Sequence, residues 1–160
     1  MLEWSNLFVA TAGASAALIG LIFVGVSINL TKILAYKGLP TRALLSLTLL
    51  FNILVLSIIM LIPRQSFHTL GMEVIVLTVV AWIGILYMDL SVIQKVEKAY
   101  KRPQMLNILI NQLAILFYFI GGIIISARGD AGIYWIIPGF ILSFFKSIMD
   151  AWVLLVEIHR

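Results

Sequence analysis

The chain has 160 residues, of which 62% are apolar and 11% charged, with 11 Lys and Arg against 7 Asp and Glu and a mean hydropathy of +1.13. Soluble domains carry roughly 25% charged and about 45–50% apolar residues, so this composition excludes an ordinary soluble enzyme, a disordered chain and a nucleic-acid-binding domain. The absence of Cys also excludes disulfides, thiolate metal sites and Cys nucleophiles.

A membrane helix needs about 20 apolar residues, and five such segments follow one another. The first runs from about Leu7 to Leu30. The second, from about Ala43 to Ile62, stops at Pro63-Arg64. The third covers about Val74 to Ile93, the fourth about Met105 to Ala127 and the fifth about Gly132 to Ile158. These runs lack the alternation of barrel strands, and lipid offers no partner to unpaired backbone groups, so they are expected to be helices. Short connections make consecutive helices antiparallel neighbours. No internal repeat, low-complexity tail or soluble appendage interrupts the pattern, so residues 1–160 form one expected domain: an all-α, polytopic transmembrane helical bundle of five spans.

Basic residues orient it. Lys32, Lys37 and Arg42 lie in the first loop, Lys95, Lys98, Lys101 and Arg102 in the third, and Arg160 at the C-terminal end. The second loop has only Arg64 and the fourth only Arg128, while the N-terminal stretch has Glu3 and no Lys or Arg. Cytoplasmic loops are the Lys/Arg-rich ones, so the expectation is N-out/C-in. A positively charged leader of the secretory type is not indicated. Trp4, Tyr134 and Trp135 suit the outer interface, and Tyr36, Tyr100 and Trp152 the inner one. Trp82 falls near mid-membrane and fits neither.

Two constellations stand out. In the first span, Ala10 to Ala17 is an unbroken run of small residues, extended by Gly20 and Gly25. Small residues let helices approach closely in lipid, so Gly13, Ala17 and Gly20 are candidates for a packing face inside the bundle or between protomers. In the fifth span, Gly139, Ser143, Lys146, Ser147 and Asp150 recur at helical spacing and share a face. A lone cation at this depth costs about 2.5–3.5 kcal/mol or more, so Lys146 is expected to pair with Asp150 one turn away, with Asp89 at matching depth on the third span, or with both. Asn52, Asn111 and Gln112, together with Asn29 and Asn107, place an amide on the remaining spans. The resulting inner-leaflet layer is expected to comprise Asp89, Lys146, Asp150, Asn52, Asn111, Gln112 and Ser143. It is either a structural network that fixes helix register or an ion, proton or polar-ligand site.

Ser143 and Lys146 have the spacing of a Ser/Lys nucleophile and base, but no oxyanion donor accompanies them. His68 and His159 lie far apart without a carboxylate cluster. No catalytic residue, metal site or cofactor is therefore expected, and the protein is not expected to be an enzyme. The basic third loop could also meet anionic headgroups.

The first helix, Phe8-Val9-Ala10-Thr11-Ala12-Gly13-Ala14-Ser15-Ala16-Ala17 with Leu21-Ile22-Phe23-Val24 and Ser27-Ile28-Asn29-Leu30 after it, resembles a group of small prokaryotic polytopic membrane proteins. Some of these carry a label as modulators of a membrane-bound AAA protease. The resemblance implies a prokaryotic inner or plasma membrane and carries over no binding or catalytic residue. The functional expectation is a small multi-pass membrane protein, homo-oligomeric and channel-like or transport-related through its polar layer. The alternative is a structural or regulatory subunit partnered by another membrane protein. The lipid bilayer is its surrounding in either case, and nucleic acid is not a partner.

Overall fold

The computed structural model of the chain describes residues 4–35, 38–95 and 101–158. Six α-helices follow in order among them: α1 (Ser5–Ile28), α2 (Leu30–Ala35), α3 (Leu39–Leu61), α4 (Phe67–Lys95), α5 (Lys101–Arg128) and α6 (Ile133–Ile158). A 3₁₀ turn (Gly129–Gly132) separates the last two, and there is no strand among the described residues. Four stretches are long and apolar enough to cross a membrane: α1, α3, residues Phe67–Ile93 of α4, and the 51-residue run Gln104–Leu154. That last run would be about 75 Å long as one helix, more than twice a hydrocarbon core of about 30 Å. It folds back at Gly129–Gly132 instead, and α5 and α6 pack along each other.

Local sequence sets the ends. Gly38, with φ at 103°, takes the left-handed conformation that opens α3, and Pro40 lies in its first turn. Ile62 caps the other end in an extended conformation, its N–H bonded to Ile59. Pro63 follows, and proline cannot extend the hydrogen-bond ladder. Ser66 then caps α4 by accepting the Thr69 N–H at 3.1 Å. Because of this cap, α4 begins seven residues before the apolar segment expected from Val74. Its first two turns include His68 and Glu73, which obscure it in a hydropathy reading. Helix α2 is a further addition to the expected pattern.

Helices α3, α4, α5 and α6 form a ring. Each packs on its two neighbours, α6 closes onto α3, and among the described residues the backbones of the diagonal pairs do not approach closely. The core inside this ring includes Leu49, Leu50, Ile53, Leu56, Val74, Ile85, Tyr118 and Ile136. Helix α1 lies outside the ring, docked mainly on α3. Trp4 packs edge-on against Tyr134 with ring centroids 5.0 Å apart, which brings the start of α1 beside the start of α6. At the opposite end Arg42 donates to Gln104 at 3.2 Å, joining the starts of α3 and α5.

The small-residue run does not pack as expected within the chain. Phe8 and Ser15 are the buried residues of α1, and Leu18, Ile19 and Ile22 are partly buried against the core. At about 100° per residue, Gly13, Ala17 and Gly20 fall on the opposite face. They are exposed, and a Cβ on Gly13 or Gly20 would meet open space. The physical reason is that α1 has one principal neighbour, α3, so one face of it is buried within the chain. The glycines that do allow close approach lie at the Trp4 end of the ring. A Cβ on Gly71 would sit 2.5 Å from the Ser126 backbone, and one on Gly132 would sit 2.5 Å from the backbones of Gly121 and Ile125. Accordingly, Gly71→Ala and Gly132→Ala should each destabilise the protein by about 1–3 kcal/mol through overpacking. Gly13→Ala should leave stability unchanged or slightly higher. Thermal unfolding in detergent checks this; equal effects at all three positions would contradict the packing.

Candidate functional site

The most polar part of the interior is built between α4, α5 and α6. Asp89 on α4 is fully buried, at 0% exposure. Facing it on α5, Asn111 donates its Nδ2 to both carboxylate oxygens, at 3.0 and 3.3 Å. Gln112 donates to Oδ2 at 3.4 Å, and its own Oε1 accepts the Trp82 indole N–H at 2.7 Å. Trp82 and Asp89 are seven residues apart and so share a face of α4. Asn111 and Gln112 are adjacent and diverge, the first into the core and the second to the edge of the interface. The result is a hydrogen-bonded chain from a half-exposed tryptophan through one amide to a buried acid.

On α6, Lys146 and Asp150 form an ion pair in i,i+4 register, each 4% exposed. Water does not solvate either group, so each needs the other's charge. The flanking serines serve other contacts. Ser147 donates to the Ser46 carbonyl at 3.2 Å and Ser46 to the Ser147 carbonyl at 3.4 Å, a reciprocal clasp between α6 and α3. Ser143 hydrogen-bonds the Tyr118 hydroxyl at 2.8 Å across the α5–α6 contact. Gly139 makes room for the same ring, since a Cβ there would lie 2.5 Å from it. Lys146 and Asp150 both act electrostatically on Asp89, although the lysine's ion pair is with Asp150 and the hydrogen bonds to Asp89 come from amides.

Asp89, Lys146, Asp150, Asn111 and Gln112 are thus brought together. Ser143 lies one turn from Lys146 but bonds to Tyr118, so it is not arranged as a nucleophile activated by the lysine. Asn52 makes no hydrogen bond to these groups. Ser46 is opposite Ser147, and Asn52 follows Ser46 by six residues, about 9 Å further along α3. Its amide is 2% exposed and neither of its polar atoms has a hydrogen-bond partner. Asn29 bonds locally to the Gly25 carbonyl at 3.1 Å, and Asn107 is half-buried.

Three participants were not singled out for the layer from sequence: Trp82, Tyr118 and Ser46. The first two carried a signal. A tryptophan away from the interface and a tyrosine inside an apolar run both need a partner for a buried or lipid-facing N–H or O–H. Ser46 carried none beyond its face on α3. Compared with known protein families, curated proteins and solved structures, the chain finds no match.

Because the lysine and Asp150 sustain each other, Lys146→Met should destabilise the protein by about 3–5 kcal/mol, the cost of stranding a buried charge. Adding Asp150→Leu should recover part of that loss. A double-mutant cycle of thermal or denaturant unfolding in detergent measures the coupling. Additive losses would show that the pair is not coupled.

Proposed function

We propose that the chain is a five-span integral membrane protein with its N-terminus outside and its C-terminus in the cytoplasm, acting as a structural or regulatory membrane subunit. Four stretches of spanning length, one of them folded into a hairpin of two helices, support the span count. The orientation rests on the Lys/Arg asymmetry of the connections. The Arg42–Gln104 contact and the Trp4–Tyr134 contact support it by gathering the basic and the Lys/Arg-poor connections at opposite ends. Glu3, Tyr36, Lys37, Lys98, Tyr100, His159 and Arg160 lie outside the described residues.

One observation carries the choice of role: Lys146 is buried and neutralised inside the ring of four helices. A channel or transporter working through the polar layer needs water at that lysine, whereas a register-fixing network needs it dry and paired. The geometry favours the second. The open Gly13, Ala17 and Gly20 face of α1 leaves a place where another membrane protein or a second copy of the chain could pack without clash. The resemblance of α1 to small prokaryotic membrane proteins labelled as protease modulators favours a regulatory role in a prokaryotic inner membrane.

Two measurements test this reading in a chain without native Cys. Ser66→Cys should be labelled by an impermeant thiol reagent from outside intact cells, and Lys37→Cys only after permeabilisation; the reverse pattern would overturn the orientation. Purified protein in liposomes should raise neither proton nor potassium flux above that of empty vesicles. A flux abolished by Lys146→Met would instead establish the transport role.

A further inference from the structure

The polar layer holds two carboxyl groups and one ammonium. Lys146 is paired with Asp150. Asp89 is therefore the surplus acid, fully buried and hydrogen-bonded only by the neutral amides of Asn111 and Gln112. A buried carboxylate without its own cation is strongly disfavoured, and an acid so placed takes up a proton instead. The second observation lies on the amide that grips it. Asn111 is 1% exposed, its Nδ2 bridges both Asp89 oxygens, and its Oδ1 is buried with no hydrogen-bond partner. A buried acceptor without a donor is costly, and this one is on the same planar group that touches the carboxyl.

We propose that Asp89 is a membrane-embedded proton-binding site in the α4–α5 interface, with the Asn111 amide as the group that responds to the proton. The proposal goes beyond the subunit reading above and does not depend on it. When a proton from water adds to an Asp89 carboxylate oxygen, one O–H bond forms and the carboxylate's charge is neutralised. No bond of the protein breaks. A rotation of the Asn111 amide in its own plane then lets its Oδ1 accept the new O–H while Nδ2 keeps donating to the other oxygen. The pair becomes a cyclic acid–amide couple in which the orphaned acceptor is satisfied. Loss of the proton returns the amide to bridging both oxygens.

The surrounding chemistry selects a proton over a metal cation. Hard cations take several oxygen ligands, whereas the groups directed at Asp89 are N–H donors. The charged neighbours are few. From α6 come Lys146 and Asp150, which neutralise each other. From α5 come the two neutral amides. The one ionisable side chain of α3, Arg42, is bonded to Gln104, and on α4 itself Tyr87 is exposed. Of the two amides that hold Asp89, Gln112 is the more exposed. It is half-buried and lines, with Trp82, Thr78 and Phe119, the groove between α4 and α5.

The test is infrared difference spectroscopy of the full chain in liposomes, titrated from acid to alkaline pH. Wild type should show a protonated-carboxyl carbonyl band that gives way to a carboxylate band on alkalinisation. Asp89→Asn should remove it, Glu73→Gln near the far end of α4 should retain it, and Asn111→Leu should shift it to higher frequency because a hydrogen bond to the acid is lost. If Asp89→Asn does not fold, Asp89→Glu provides the assignment by moving the band. The proposal is overturned if no protonated-carboxyl band depends on residue 89 at any pH where the fold persists. It is equally overturned if sodium at fixed pH erases the band, because the occupant is then a metal cation. Proton flux through the liposomes is read separately and bears on the subunit reading alone.

Discussion

An ammonium group inside an apolar bundle is tolerable only beside its own counter-charge, and much of this fold is arranged around that requirement. Lys146 cannot reach water from within the ring, so Asp150 must be one turn away on the same helix. An i,i+4 pair on a single helix leaves its outer surface to be covered by neighbours. Helices α3 and α5 supply the cover, and each is fastened to α6 by a short polar contact. The Ser46/Ser147 clasp sets the register against α3, and the Tyr118–Ser143 hydrogen bond sets it against α5. A slip of one residue at either contact would rotate the lysine towards lipid. The serines that look like catalytic companions of Lys146 in sequence are the devices that hold it in place.

Two kinds of glue divide the ring along its length. Lipid supplies little hydrophobic drive for helix association, so close packing and hydrogen bonds must do the work. Near the Trp4 end, Gly71, Gly121, Gly122 and Gly132 let α4, α5 and the 3₁₀ turn approach until backbone meets backbone. Nearer the Arg42 end the contacts are polar: Asp89 with Asn111 and Gln112, and Arg42 with Gln104. The first kind is insensitive to charge. The second is made of groups whose hydrogen bonds depend on protonation or partner orientation, so the two ends of the α4–α5 contact differ in how they respond to their surroundings.

Much of this was legible in sequence because composition and length act on whole segments. A run of about 20 apolar residues has few alternatives to a helix in lipid, and the pairing of Lys146 with Asp150 follows from spacing and charge alone. What sequence could not supply was which face of each helix meets which neighbour. The run Ala10 to Ala17 announces close packing, yet α1 meets the bundle through the face of Phe8 and Ser15 and leaves its glycines open. The glycines that mediate contact sit singly at Gly71 and Gly132 or paired at Gly121-Gly122, where no composition signal marks them. The seven residues added to α4 depend on one capping hydroxyl, that of Ser66.

The ring also constrains how any signal could leave the polar layer. Lys146 and Asp150 neutralise each other and α3 is clasped to α6, so among the described residues the α3–α6 and α5–α6 contacts hold no carboxyl or ammonium group without a counter-charge in the polar layer. The α4–α5 contact does, because Asp89 is bound by neutral amides whose bonding changes when the acid does. Glycine packing at Gly71 and Gly122 anchors the same two helices near the Trp4 end. A change at Asp89 would therefore not slide α4 along α5. It would alter the spacing of the two helices at the Arg42 end about an anchored far end, and Gln112 and Trp82 would carry that change to the membrane-facing groove. Within the polar layer, the acid without its own cation thus lies at the contact whose other end is packed backbone to backbone through glycines.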